Sequence, residues 1–231
     1  MRDMRQVLES ERSVEREFVA GDRTDPKGWS VALTMFHFLK WRVRIHDALI
    51  ALRDGSPYTP PPRDVDEFND GELATASQTS LIDSATRADS LLASLIDLYV
   101  AVGDRPFTWY RWNTTTEALL GSAYIHPHTH IVQYLKENDD LTGAVRLLER
   151  TVSVLRRASA PSIILGVEIY NLACLRVSEG RNDDALSLIV ESISMRPGLK
   201  DIARTDSDLA PLRSDERFRA IVRQPPNQPE R

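Results

Sequence analysis

The chain has 231 residues, 42% of them hydrophobic, enough for one large or two small domains at ~100–200 residues each. Its formal charge is -5 and both signs are scattered, so there is no basic stripe for phosphate binding and nucleic acid is excluded as a partner. The stretch Met1 to Gln6 lacks the apolar core of a signal peptide, and no apolar run approaches the ~20 residues of a membrane span; a cytoplasmic protein without a membrane partner is expected.

Residues near 4–20 place Val7, Leu8, Val14 and Phe18 at helical spacing among many charges, which predicts an amphipathic first helix. Gly21 to Pro26 break it. A second helix starts around Pro26 to Ser30 and runs to about Leu52, with a stripe of Leu33, His37, Trp41 and Arg44. On spacing alone, His37 reads as a satisfied core histidine or as a ligand. His46, nine residues on, faces the other way.

Asp54 to about Ala76, with Pro60, Pro61 and Pro62 in a row, predicts a long irregular connection, either functional or a plain crossover. Leu81, Ala85, Ala88, Leu92, Leu95, Tyr99 and Val102 alternate steps of four and three, the seam of a helix packed in a bundle. The aromatic run Phe107 to Trp112 follows, reading as a hydrophobic plug that caps the bundle or as a pocket lining. Thr114 and Glu117 fit a capping box for the next helix.

That helix carries His126, His128 and His130, three of the five histidines. His126 and His130 are one turn apart, about 40° around the axis, and can converge on one ion; His128 is about 160° away and is expected to face solvent. Pro127 removes a backbone hydrogen bond, so a kink or a new segment is expected, at a cost of about 3 kcal/mol if uncompensated.

After residue 130 the chain repeats itself with an offset of 41 positions. Asp139 matches Gly180, Ala144 matches Ala185, and Leu148 matches Ile189. The second copy resembles a tetratricopeptide repeat, with Leu172-Ala173, Gly180, Ala185 and Pro197 at that family's small and turn positions. Two copies are fewer than a free-standing solenoid needs. The helix with His130, Ile131, Tyr134 and Leu135 is therefore expected to double as the first repeat helix. Asp201 to Ile221 resemble a capping end, and Gln224 to Pro229 read as a disordered tail. Cys174, the only cysteine, lies in an apolar helical segment and reads as a packed thiol.

Trp29-Ser30, His37 and Trp41 are similar to the second-helix signature of the DinB-like metal-binding four-helix bundles, which include thiol-dependent enzymes and the ClbS/DfsB group. Val65 to Asn69 resembles the segment leading into that group's third helix, and His126-x-x-x-His130 resembles the superfamily's closing motif. The resemblance implies an all-α fold, a DinB-like four-helix bundle over 1–137 continued into a short tetratricopeptide-like module over 138–223, with a disordered tail at 224–231. It implies His37, His126 and His130 as ligands of a divalent metal ion, Zn or Ni, with an open position for activating water or a thiolate. A metal-dependent thiol transferase or hydrolase follows, acting on a small-molecule substrate, with a low-molecular-weight thiol as a further cofactor candidate. No general acid or base stands out beside the triad. The alternative is a non-enzymatic interaction protein that grips a protein or peptide through its repeats; a homodimer is left open.

Overall fold

The computed structural model describes residues 3–62 and 65–223; the side chains of 66–68 lie outside it, as does the expected tail at 224–231. The chain is predominantly helical and divides into two compact units, Met1–Asp140 and Leu141–Arg231. Among the described residues, no helix is long and apolar enough to cross a membrane.

In the first unit, α1 (Met4–Ala20) buries Val7, Leu8, Val14 and Phe18, the stripe expected from their spacing. Helix α2 (Val31–Arg53) begins at Ser30, whose hydroxyl accepts from the Leu33 N–H at 3.2 Å and satisfies one of the four donors left bare at a helix start. The Pro-rich connection is not irregular throughout, because it contains a short helix, α3 (Asp66–Leu73), and a 3-10 turn at Ala76–Gln78. Helix α4 (Leu81–Val102) buries Ala88, Leu92, Leu95 and Val102 from its predicted seam.

The aromatic run forms a two-stranded antiparallel hairpin instead of helix or coil, with β1 (Pro106–Trp109) paired to β2 (Trp112–Thr114). Thr114 then caps α5 (Thr115–Leu120): its hydroxyl accepts from the Glu117 N–H at 3.2 Å, while the Glu117 carboxylate accepts from the Asn113 N–H at 3.0 Å. A π-helical turn at Gly121–Ile125 leads without a break into α6 (His126–Glu137). Helix α4 packs on α1 and α2, and both of those pack on the π turn, so four helical segments close a ring around the core.

The second unit contains α7 (Leu141–Arg157), α8 (Ser162–Ser178), α9 (Asn182–Met195), α10 (Leu199–Thr205), a 3-10 turn at Ser207–Leu212 and α11 (Glu216–Val222). Helix α8 packs on both α7 and α9. Helix α8 lies close to α9 at Gly166, where a Cβ would lie 3.1 Å from Met195 Cβ. The repeat offset is visible in the backbone. Asp139 and Gly180 both adopt left-handed φ, 62° and 75°, each just past a helix end. There the next N–H, of Asp140 or Arg181, donates back to Leu135 O or Arg176 O at 2.8 Å. Ala144, Ala185, Leu148 and Ile189 are all buried. Leu209, Leu212 and Phe218 from the end segment join the core of this unit.

Candidate metal centre

Helix α2 presents His37 to the first two turns of α6, which present His126 and His130. The His126 Nε2 lies 3.0 Å from His37 Nε2 and 3.1 Å from His130 Nε2, and one nitrogen from each ring falls within 4.8 Å of the others. An ion about 2.0–2.1 Å from each nitrogen in tetrahedral arrangement needs nitrogens ~3.3 Å apart. The observed spacings are a few tenths of an ångström shorter, so the three rings form a group that could hold a metal ion.

The electrostatics agree. Burial, with help from the neighbouring His130 and Arg44 charges, lowers His37 to about 3. Burial, then His130, His37 and Arg42, lowers His126 well below the usual range, and burial alone lowers His130. All three imidazoles are thus neutral near pH 7, the form that donates a lone pair to a cation. The single His126 Nε2 faces two ring nitrogens, and one proton or one lone pair there can serve only one of them fully. The buried His126 Nδ1 has no hydrogen-bond partner among the described residues, so proton sharing cannot satisfy the cluster well.

Aromatic rings hold the ligands in place. Trp29 stacks on His130, centroids 5.3 Å apart and 9° between planes, and Trp41 packs 5.4 Å from His126. Trp41 itself is fixed by an Nε1–H donated to Asn69 Oδ1 at 3.2 Å. The triad faces a cavity of about 720 Å³, walled by Trp29, Trp41, Tyr110, Arg111 and Trp112 among others. The hairpin therefore serves both readings of its aromatic run: Phe107 and Trp109 are buried, whereas Tyr110 and Trp112 line the cavity. A Cβ at Gly121 would overlap the Trp112 indole, which is why the π turn needs glycine at that position.

His128 corrects the expectation of a solvent-facing ring. It is buried at 1% exposure, with its Nε2 2.5 Å from Glu11 Oε2 and its ring 4.3 Å from Tyr124. The ring does point away from His126 and His130, but the π turn that leads into this segment packs on both α1 and α2, and Glu11 of α1 covers the His128 side. Below it Arg42 is fully buried and forms a bidentate pair with Glu15, one contact at 2.7 Å, while Glu11 lies 3.8 Å away. Burial raises Glu15 to about 7, opposed by Arg42 and assisted by Glu11. The sequence signal for this network was available: Glu11 and Glu15 occupy the same stripe as Val7, Leu8, Val14 and Phe18.

Arg42 also accounts for Pro127. Proline at 127 cannot donate to the carbonyl four residues back, Ala123, and the Arg42 guanidinium reaches that oxygen at 3.4 Å. The π turn, whose last bond runs from the His126 N–H to Gly121 O, places Pro127 in the first turn of α6, where proline is tolerated.

The other sequence candidates lie elsewhere. His46 contacts Ser94 Oγ at 2.9 Å and takes no part in the triad. Cys174 is buried near Asp206, but that carboxylate already accepts from Tyr170 Oη at 2.7 Å and from the Asp208 N–H at 2.9 Å. It serves the local fold.

Fold and site together define a helical protein with a three-histidine group open to an aromatic cavity. Comparison with protein-family models, curated proteins and solved structures finds no match.

Proposed function

We propose that His37, His126 and His130 hold a divalent cation, Zn or Ni by the character of the donors, and that the chain is a DinB-like metal-dependent enzyme of the hydrolase or thiol-transferase type. The observation that carries this is the convergence of three neutral imidazole nitrogens within 4.8 Å on the wall of a large cavity. Three protein ligands leave a position open, whereas a purely structural zinc site takes four. A bound ion of this kind supplies Lewis acidity, lowering the pKa of water or a thiol at the site. The chain's own residues do the rest. Trp29 and Trp41 keep His130 and His126 in register, and the hairpin residues Tyr110 and Trp112 shield the triad from bulk water on one side.

Elemental analysis of the purified chain tests the reading. About one equivalent of divalent ion is expected per chain, and replacing His37 with alanine removes most of it. A wild-type protein without stoichiometric metal after reconstitution, or a His37→Ala protein that retains it, refutes the proposal.

A further inference from the structure

The hairpin tip is built in an unusual way. Tyr110 has φ 54°, a left-handed conformation that glycine, asparagine or aspartate normally fills in a two-residue turn. The strain is retained where it sets two side chains into the cavity wall. The Tyr110 ring packs 6.4 Å from Trp41. The Arg111 guanidinium lies 4.7 Å over the Tyr110 ring and donates to its hydroxyl at 3.0 Å.

Arg111 is the only cationic side chain among the described cavity-lining residues, and no carboxylate among the described residues lies within ion-pair distance of it. Its remaining N–H donors are therefore available to a ligand. The aromatic faces are already used. Arg44 lies 5.3 Å over Trp41, Arg111 covers Tyr110, and Trp29 is stacked on His130. A cationic ligand would find the Trp41 and Tyr110 faces occupied by like charge and one Trp29 face covered by a neutral imidazole, whereas a planar apolar body can lie along the ring edges and the exposed part of Trp112. Asp70 is the one acidic side chain among the described lining residues, and it is exposed.

We propose that the cavity selects a small molecule with a flat apolar body and a carboxylate, and that Arg111 is the specificity-determining residue that takes the carboxylate. The proposal rests on the metal reading in one respect: a dication on three neutral imidazoles adds positive potential to the same cavity. A volume of about 720 Å³ lies within the range of small-molecule sites and has room for a two-ring body with substituents.

Isothermal titration calorimetry of the full chain with 2-naphthoate, 2-naphthylmethanol and 2-naphthylmethylammonium provides the test, with metal content measured on the same samples. Naphthoate should bind at least about tenfold more tightly than the alcohol, and the ammonium most weakly, because hydrogen bonds to charged groups are the strong ones. The exposed Arg111→Ala change should weaken naphthoate about tenfold and leave the alcohol within about twofold; Arg111→Lys should recover part of the loss. Equal binding of naphthoate by wild type and Arg111→Ala overturns the proposal, as does no binding by any probe or tighter binding of the ammonium. An Arg111-dependent preference in samples that take up no metal on reconstitution upholds this proposal and removes the metal reading. Metal-loaded samples with no preference do the reverse.

Discussion

Replacing Arg42 with methionine tests the buried network under the metal centre. Arg42 has no exposure, and its charge is balanced by Glu15 in bidentate contact and by Glu11 at 3.8 Å. Methionine fills much of the volume and leaves the Glu15 carboxylate buried without its cation, a change that costs about 3–5 kcal/mol. The lost donor to Ala123 O at 3.4 Å adds at most about 1 kcal/mol, given its length. A loss of about 3–5 kcal/mol is a large fraction of the 5–15 kcal/mol typical of a domain. The loss should depend on pH. Burial already raises Glu15 to about 7, and removing Arg42 raises it further, so the folded variant takes up a proton there more readily than the unfolded chain does. That group favours folding below its unfolded value and loses its contribution as pH rises through the folded value, so the deficit is largest near pH 8 and shrinks toward pH 5. Urea unfolding at several pH values, followed by far-ultraviolet circular dichroism, measures it. The double variant Arg42→Met/Glu15→Leu removes both charges and should regain most of the loss. A deficit under about 1 kcal/mol, a pH-independent deficit, or a double variant as unstable as the sum of the singles would refute the reasoning.

Replacing Gly121 with alanine sets a helix-propensity gain of about 1 kcal/mol against overlap with the Trp112 indole, which costs about 1–3 kcal/mol. A net loss with an altered near-ultraviolet dichroism band is expected, and a stabilised protein with an unchanged band would contradict the packing described. His128→Asn should leave metal content intact, because that ring faces Glu11 and not the triad, while lowering stability by about 1–3 kcal/mol; loss of the ion by elemental analysis would count against the assignment. Stability should fall as pH drops below about 6.5, because unfolding lets His37 rise from about 3 to its ordinary value and take up a proton. His126 and His130 act in the same direction, Glu15 in the opposite one, so three imidazoles against one carboxylate leave a net loss. Thermal melts between pH 7 and pH 5 measure the trend, with a flat or rising melting temperature as the contrary result.

Much of the helical framework was legible because helix signals are local. Val7 to Phe18 and Ala88 to Val102 repeat at the spacing their buried faces require, and Thr114 with Glu117 marks a helix start by its own hydrogen bonds. His126 and His130 were readable as a pair for the same reason. The matched turns at Asp139 and Gly180 were also visible, since a left-handed residue past a helix end is a property of a few adjacent peptides.

Other features depended on what each segment packs against. Helical angle placed His128 away from His126 and His130, but only the α1 neighbour made that side an interior. Arg42 gains its partner only from Glu15 on another helix, and it reaches Ala123 O, the carbonyl to which Pro127 cannot donate, from across the packing interface. The aromatic run at 107–112 divided between core and cavity because β1 buries Phe107 and Trp109 while the turn and the start of β2 carry Tyr110 and Trp112 to the cavity wall, a placement that composition does not reveal. Sequence alone marked the longer helices by their local spacing, though not α3 or the π turn, and named the three histidines through a resemblance. Tertiary structure decided that their nitrogens converge, because bringing His37 within 3.0 Å of a ring 89 positions away is a property of packing between helices and of no single one of them.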